Sequence, residues 1–389
     1  MYQIQVYNQI AKKGTDLFSE EKYRLTDTES PDGVLLRSYP LTEEHIPESV
    51  KAIARAGAGV NNIPVADCTK KGIVVFNTPG ANANAVKELV ITSLIASSRK
   101  LFEAVQWTQT IQNAENLERL VEIEKKKYIG SEIQGKYIGV VGAGAIGVLV
   151  ANAALALDME VIAFDPFISV NSAWLLSRNV QRAMSLDEVF TKCDYITLHM
   201  PLSDKTKGII NASGFDKMKE GVQVLNFSRG ELVNEDDLEN ALESGKVGKY
   251  ITDFPNERVL NMKNVVATPH LGASTQESEE NCAIMAVQQL RSYLETGNIK
   301  NSVNFADVEL PYIGKKRLTI AHQNIPNMVG QITALLAANS INIADMINRS
   351  KGDYAYTIID LDQDIDHDAE EILKGKVKVI TGVTMIRFI

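Results

Sequence analysis

Three polar residues in the second half of the chain could together oxidise a hydroxyl-bearing carbon. Arg229, Glu257 and His270 each follow a short apolar run that is typical of a strand, and an α/β sheet binds its ligands beyond the carboxyl ends of its strands. Removing a hydride from such a carbon requires a base for the hydroxyl proton, and a neutral imidazole serves near neutral pH. A carboxylate would orient the imidazole, and a guanidinium would bind a substrate carboxylate through two parallel hydrogen bonds. Each residue alone is more often structural, but the set predicts proton transfer on a small hydroxy acid.

A glycine-rich loop upstream of these residues predicts a dinucleotide cofactor. Gly142, Gly144 and Gly147 form a G-x-G-x-x-G that directly follows the apolar strand Tyr137–Val141 and opens an apolar helix. Glycines let the backbone approach a pyrophosphate, and a helix N-terminus favours its negative charge. The next strand ends at Asp165, where a carboxylate can hold both ribose hydroxyls. Because Asp165 is followed by Pro-Phe rather than by a basic residue, we predict NAD and not NADP.

The apolar runs place this loop in a doubly wound domain. From residue 137 onward, short apolar strands alternate with amphipathic helical stretches, which indicates a parallel sheet covered on both faces. The predicted strands are Tyr137–Val141, Val161–Phe164, Tyr195–Leu198, Val222–Phe227, Tyr250–Thr252 and Val265–Thr268. The first ninety residues also form short strand and helix units. Apolar residues at helical spacing then predict one long helix from Ala85 to about Gln112.

The C-terminal segment has a different order of elements. It is predicted as strand Leu318–Ala321, helix Met328–Ala338, strands Asp345–Asn348 and Ala355–Asp360, helix Asp366–Leu373 and strand Val383–Phe388. This βαββαβ series is a ferredoxin-like unit that is large enough to fold independently. The predicted fold class is therefore α/β with two Rossmann-like doubly wound domains and a ferredoxin-like domain. We assign residues 1–88 and 272–305 to a flavodoxin-like substrate domain, 89–271 to an NAD domain and 317–389 to the C-terminal domain.

Composition excludes several other classes of protein. With 40 basic and 49 acidic residues, the 389-residue chain carries a formal charge of -9, whereas nucleic-acid binders show a basic face. Cys68, Cys193 and Cys282 are far apart and lack metal-ligand spacing, so we expect neither disulfides nor a bound metal. No apolar run approaches the length of a membrane span, and we expect a cytoplasmic protein without a membrane or nucleic-acid partner.

The chain resembles the D-2-hydroxy-acid dehydrogenase family over nearly its whole length. Val141–Gly147 is similar to the family's nucleotide fingerprint, Asn226–Gly230 to its arginine motif, and Thr268–Thr275 to its histidine motif. These motifs occur in the family's order, with Gly57–Asn62 and Asn77–Pro79 upstream. The resemblance implies NAD-dependent oxidation of a 2-hydroxy acid.

The same resemblance implies roles for particular residues. His270 would be the acid/base residue, Glu257 its partner and Arg229 the anchor of the substrate carboxylate. The implied cofactor contacts are Gly142, Gly144, Ala145, Ile146, Gly147, Asp165, His199, Pro201, Ser228, Asp253 and Gly272. His199 would line the cofactor site and not act as the base. The segment Asp253–Arg258 is one residue shorter than the family's usual segment, and its usual final proline is Arg258.

Within the family, the chain resembles members that oxidise 3-phosphoglycerate in the first step of serine biosynthesis. A phosphate beyond the carboxylate requires a further cation, and Arg37 resembles the arginine that these members supply. The implied substrate contacts are Arg37, Ser38, Gly57, Gly59, Asn82, Arg229 and His270.

The C-terminal segment resembles an ACT domain, a module that binds amino acids. His322, Asn324 and Asn342 match positions that would hold L-serine as an effector, and amide and imidazole groups suit a zwitterion. Asn327 replaces a usual glycine, and Asn tolerates the left-handed conformation better than most residues. The alternative is a dimerisation domain without a ligand. The resemblance also implies a homodimer or homotetramer.

Two other functions compete with this interpretation. One is a different D-2-hydroxy-acid dehydrogenase, acting on glycerate, lactate or 2-hydroxyglutarate and its 2-oxo acid. The other is a non-catalytic NADH-sensing interaction protein, which the acidic charge and the serine-type C-terminal module disfavour.

Overall fold

The computed structural model describes residues 1–389. It divides into two compact units, residues 1–82 with 276–389, and residues 83–275. Each unit is built around a parallel sheet, and the first unit also holds a small antiparallel sheet at the C-terminal end of the chain.

Sixteen strands form the three sheets. The first sheet contains Tyr2–Val6 (β1), Tyr23–Leu25 (β2), Gly33–Leu36 (β3), Ala52–Arg55 (β4) and Val74–Phe76 (β5). The second contains Tyr137–Val141 (β6), Glu160–Phe164 (β7), Gln181–Arg182 (β8), Tyr195–Leu198 (β9), Val222–Asn226 (β10), Val247–Thr252 (β11) and Val265–Ala267 (β12). The third contains Arg317–Gln323 (β13), Ile343–Lys351 (β14), Tyr354–Leu361 (β15) and Val383–Phe388 (β16).

Fourteen α-helices connect these strands. Those up to residue 156 are Lys12–Thr15 (α1), Val65–Lys70 (α2), Ala83–Ser98 (α3), Leu101–Thr110 (α4), Leu117–Glu124 (α5) and Ala145–Ala156 (α6). The later ones are Val170–Leu175 (α7), Leu186–Lys192 (α8), Ala212–Lys217 (α9), Glu235–Glu243 (α10), Glu257–Asn261 (α11), Gln276–Thr296 (α12), Met328–Ala338 (α13) and His367–Lys378 (α14). None of them is both long and apolar enough to cross a bilayer.

The strand orders confirm the predicted fold class. The first sheet runs β2-β1-β3-β4-β5, which is the flavodoxin order. The second runs β12-β11-β10-β9-β6-β7-β8 with all pairs parallel, which is the Rossmann order with the glycine loop at its first strand. All six strands predicted for this sheet are present, and the short strands β2 and β8 were not predicted. The C-terminal sheet has the predicted βαββαβ series with antiparallel strands in the order β14-β15-β13-β16.

The single helix predicted from Ala85 to about Gln112 is wrong. The structure has two helices there, α3 and α4, and Lys100 between them has a φ of 50°. A residue in this left-handed conformation ends the first helix. Hydrophobic spacing continues across the break, so the pattern alone gives no sign of it.

The C-terminal sheet is not a separate body from the first sheet. One of its faces packs on α13 and α14 around its own core, which includes Ile320, Ile332 and Leu373. Its other face shares a core with the first sheet and α12, where Tyr356 packs near Tyr293 and Phe305. Apolar residues on both faces of this sheet are therefore buried, and the assignment of residues 317–389 to a domain of their own stays a prediction.

Two buried arginines also join this sheet to α12. Arg387 donates to the carbonyl oxygens of Tyr293 and Leu294 at 3.3 and 2.9 Å. Arg317 is fully buried, donates to the carbonyl oxygen of Thr296 at 2.8 Å, and binds both carboxylate oxygens of Asp360. Guanidinium groups are favourable at the C-terminal end of a helix because they offset the negative end of its dipole.

Candidate active site

The loop after β10 is held by a buried asparagine. Asn226 is fully buried, and its side-chain amide donates to the carbonyl oxygen of Arg229 at 2.9 Å and to the Tyr250 hydroxyl at 3.0 Å. Its side-chain oxygen accepts from the Ser228 N–H, and the Ser228 hydroxyl donates to the carbonyl oxygen of Leu198. These bonds fix the backbone beneath the exposed Arg229 side chain. The arginine motif thus contains a structural residue, Asn226, that sequence reasoning did not select.

The loop after β11 is tied to its neighbours on both sides. The Thr252 hydroxyl donates to the carbonyl oxygen of Asn226 at 2.9 Å and accepts from the Phe254 N–H at 3.1 Å. Asp253 is fully buried and accepts from the Gly272 N–H at 2.9 Å through Oδ2. Burial raises the pKa of the Asp253 carboxyl. Its Oδ1 is buried without a partner, which leaves an acceptor for a ligand group with N–H donors.

Phe254 brings the predicted acid/base residue and the predicted carboxylate anchor together. Its ring lies 4.6 Å from the His270 ring, centroid to centroid, at an angle of 47°. The Arg229 guanidinium carbon lies 6.0 Å from the centre of the same Phe254 ring. Both polar side chains are exposed. Sequence reasoning did not select Phe254, although its place directly after Asp253 in a shortened segment was a possible signal.

Glu257 is not bonded to His270 in this structure. It is the first residue of α11, its side chain is exposed, and the helix is capped by Asn256, whose Oδ1 accepts from the Val259 N–H. Arg258 forms ion pairs with Asp236 and Glu239 on α10. The pairing of Glu257 with His270 therefore stays a prediction.

Each of the three glycines in the nucleotide loop is suited to its position for a different physical reason. Gly142 has a φ of 96°, and a Cβ there would lie 2.5 Å from the carbonyl oxygen of His199. A Cβ on Gly147 would lie 1.9 Å from the carbonyl oxygen of Gly142, so α6 can approach the strand only because this residue is glycine. Around Gly144 there is open space, which fits a site where a pyrophosphate approaches the backbone.

Asp165 borders a cleft at the end of β7. Its Oδ2 accepts from the Ala143 N–H and its Oδ1 from the Phe167 N–H, both at 2.8 Å. The cleft has a volume of about 400 Å³ and is also lined by Arg178 and Arg182. Its position beside the glycine loop suits the adenosine half of a dinucleotide.

His199 lies under the glycine loop as a neutral histidine. Its Nε2 bonds the Thr197 hydroxyl at 2.9 Å, and its Nδ1 is buried without a partner. Burial lowers the pKa of His199 to about 3. The neutral ring cannot serve as a charged group for the cofactor, and its role as a lining residue stays a prediction. Pro201 is exposed in the loop that follows β9.

The predicted substrate residues of the other unit are placed as follows. Arg37 directly follows β3, and its Nη1 forms an ion pair with Glu279 on α12 at 2.8 Å. The Arg37 carbonyl oxygen accepts from Arg55 Nε and from Asn62 Nδ2. Ser38 is exposed, and Gly57, Gly59 and Asn82 are partly exposed. The roles of these residues in substrate binding stay predictions.

The three predicted effector residues are not joined by hydrogen bonds. His322 is buried, and its ring nitrogens bond the Gln323 carbonyl oxygen and the Thr357 hydroxyl, each at 2.8 Å. Burial lowers the pKa of His322. Asn324 donates to the carbonyl oxygen of Gly352, and Asn342 donates to the Asp362 carboxylate. Both asparagines are exposed and His322 is buried, so of the three residues only the asparagines can contact a ligand directly.

Two further expectations concern the backbone at Asn327 and the state of the cysteines. Asn327 directly precedes α13 and has a φ of 61°, the left-handed conformation expected for this replacement of glycine. All three cysteines are buried and free. No group of three or more His, Cys, Asp or Glu side chains is arranged to hold a metal ion.

Comparison with known proteins places these features in a family. Residues 91–272 match the D-isomer specific 2-hydroxyacid dehydrogenase NAD binding domain, which confirms the prediction of an NAD-binding domain. A D-3-phosphoglycerate dehydrogenase of Haemophilus influenzae is 31% identical over 363 residues, which is 89% of this chain and 83% of that protein. One of Synechocystis sp. is 35% identical over 312 residues, which is 77% of this chain and 54% of that protein. The chain thus spans about half the length of the Synechocystis relative.

A solved structure of a related enzyme is also similar to this chain. The structure of NAD+-bound 3-phosphoglycerate dehydrogenase from Entamoeba histolytica superimposes with a TM-score of 0.62 and 29% sequence identity. The match covers 78% of this chain and 98% of the other chain.

Proposed function

Because the chain belongs to the D-isomer specific 2-hydroxyacid dehydrogenase family, we propose that it oxidises D-3-phosphoglycerate to 3-phosphohydroxypyruvate with NAD. The observation that carries the proposal is the placement of Arg229 and His270 on one aromatic ring, beside the buried Asp253. The D-3-phosphoglycerate dehydrogenases among its relatives favour this substrate over other 2-hydroxy acids. This reaction is the first step of serine biosynthesis.

The residues divide the chemistry between charge binding and proton transfer. The Arg229 guanidinium binds the substrate carboxylate. The C2 hydroxyl loses its proton to the His270 imidazole, while the C2–H bond breaks and its electron pair leaves as hydride. NAD, when bound, would supply the acceptor for that hydride, so that a 2-oxo acid would remain. Asp253, with its partnerless oxygen and its raised pKa, would hold the amide end of the cofactor, and the glycine loop would hold the pyrophosphate.

Arg37 is the proposed contact for the substrate phosphate. It is about 38% exposed and engaged by only one carboxylate, that of Glu279. A phosphate dianion can replace a single exposed carboxylate partner, since exposed ion pairs are weak. Ser38, Gly57, Gly59 and Asn82 remain proposed contacts of the same ligand.

We further propose L-serine as an effector of the C-terminal sheet. The support is the βαββαβ order and the two exposed amides, Asn324 before α13 and Asn342 after it. Helix α12 connects this sheet with the proposed substrate site. Its C-terminal end binds Arg387 of the sheet, and its N-terminal end carries Glu279, the partner of Arg37. Serine inhibition that is lost in Asn324→Ala and Asn342→Ala would support this role, and an enzyme insensitive to serine would refute it.

The enzyme is also proposed to be a cytosolic homodimer or homotetramer. Helices α4 and α5 bury no residue and expose Leu101, Val105 and Ile123, which suits contact with a second copy. The free cysteines suit a reducing compartment. Light scattering should give two or four times the chain mass of 42.8 kDa, and a mass of one chain would contradict the assembly.

A steady-state assay of NADH formation tests the reaction. We expect turnover of D-3-phosphoglycerate, and His270→Asn should lower kcat on the order of 10²-fold or more while NADH still binds. Good turnover of glycerate, lactate or 2-hydroxyglutarate without turnover of D-3-phosphoglycerate would assign the enzyme to another substrate. An unchanged kcat in His270→Asn would place the base elsewhere.

A further inference from the structure

The Phe254 side chain contacts both Arg229 and His270. Its backbone N–H is bound by the buried Thr252 hydroxyl. The next residue in the chain is Pro255, whose ring restricts the backbone conformation of the residue before it. The Phe254 ring is therefore attached to a backbone that has little freedom to move.

Arg229 and His270 themselves have few other restraints. No hydrogen bond or ion pair joins the His270 ring to Glu257, which lies exposed at the start of α11, and the buried Asp253 carboxylate acts on the ring through its charge. The one hydrogen bond of the Arg229 guanidinium goes to the carbonyl oxygen of Ser228, at 2.6 Å. An exposed side chain with so few bonds samples several rotamers, so the Phe254 ring is the main restraint that the two side chains share.

We propose that Phe254 is a positioning residue that sets the spacing between the guanidinium and the imidazole. In a 2-hydroxy acid, the carboxylate carbon and the hydroxyl-bearing carbon are directly bonded, so the two side chains must serve adjacent atoms of one small molecule. The face of an aromatic ring attracts guanidinium, and it attracts imidazolium in the same way once the hydroxyl proton has been transferred. The ring thus holds both groups before and after the proton moves. This proposal rests on the proposed dehydrogenase function.

Kinetics of three variants test the proposal. Phe254→Leu keeps an apolar side chain but removes the aromatic face, Phe254→Tyr keeps the face, and Phe102→Leu makes the same change in α4 as a matched control. We expect Phe254→Leu to lower kcat on the order of 10-fold or more, since small displacements of catalytic groups have large effects on rate. The KM for NAD should change less than about twofold, and Phe254→Tyr should keep kcat within about threefold of the wild type. A Phe254→Leu enzyme with wild-type kcat, or a Tyr variant as slow as the Leu variant, would overturn the proposal.

A spectroscopic measurement separates this proposal from the reaction itself. The chain has five histidines, so histidine-labelled protein gives few imidazole C–H signals, and His270→Asn identifies the one from His270. At 4.6 Å the Phe254 ring current should displace that signal, and Phe254→Leu should remove the displacement while Phe102→Leu leaves it. An unchanged His270 signal in Phe254→Leu would refute the positioning role even if the enzyme is active. If the wild type oxidises no hydroxy acid, the proposed function fails, and the His270 signal still decides whether Phe254 positions this ring.

Discussion

Acidification should destabilise this protein through His199, and the size of the effect follows from its burial. The ring is neutral in the folded state because burial lowers its pKa to about 3, whereas an unfolded histidine titrates near 6.5. Between these two values the unfolded chain binds a proton that the folded chain does not. Stability is therefore lost as the pH falls below about 6.5.

The linkage relation gives the magnitude. For a histidine with a pKa of about 3 folded and about 6.5 unfolded, the free energy of unfolding falls by about 2 kcal/mol between pH 7 and pH 5. In His199→Gln this contribution disappears, because the amide does not titrate. The variant has its own stability at pH 7, since it changes the bond to Thr197. The informative quantity is therefore the loss between the two pH values.

Chemical denaturation at pH 7 and pH 5 measures this loss. We expect the wild type to lose about 2 kcal/mol more than His199→Gln over this range. His45→Gln, which replaces an exposed histidine bound only to Thr42, controls for the general effect of losing one histidine. An equal loss in the wild type and in His199→Gln would show that the ring is protonated in the folded protein, and the argument from burial would be wrong.

Three other substitutions test separate parts of the structure. Glu279→Gln frees Arg37 from its ion pair. The KM for D-3-phosphoglycerate should fall about two- to fivefold, which corresponds to the free energy of a weak exposed ion pair. A higher KM would contradict this expectation. Arg317→Met leaves Asp360 buried without its partner and should lower the free energy of unfolding by about 3–5 kcal/mol, with partial recovery when Asp360→Leu is added. Gly147→Ala forces the Gly142 carbonyl oxygen away from its position, at a strain of about 1–3 kcal/mol. Calorimetry should therefore show that NADH binding is weakened roughly 10-fold or more. Unchanged binding would refute the steric argument.

The sequence predicted the NAD-binding domain and the strands around its glycine loop. The glycine loop, Asp165 and the strands around them depend on local patterns, and Gly142 and Gly147 are required by backbone within a few residues or at the neighbouring strand end. Loops after parallel strands meet at one sheet edge, so Arg229, Asp253 and His270 could be placed at the same edge from their order alone. The βαββαβ series was also visible in the hydrophobic spacing.

Other features depend on contacts between segments that are distant in the sequence. No local pattern shows that the C-terminal sheet buries a second face against α12, or that Arg317 and Arg387 bind the end of that helix. Histidine is a residue type that often contacts ligands, but both ring nitrogens of His322 are hydrogen-bonded within the sheet, to the Gln323 carbonyl oxygen and the Thr357 hydroxyl. Burial and hydrogen-bond partners are properties of the packed sheet, not of the residue.

The proposed catalytic residues show the same division. Residue type and order identified His270 and Arg229 and the chemistry that they can perform. In the structure the Phe254 ring lies against the Arg229 guanidinium and the His270 ring, whereas Glu257 lies exposed at the start of α11, and its pairing with His270 stays a prediction. The sequence alone determined which groups are present because chemistry follows from residue type, while the folded structure decided which of them touch because side-chain contacts depend on packing across the whole sheet edge.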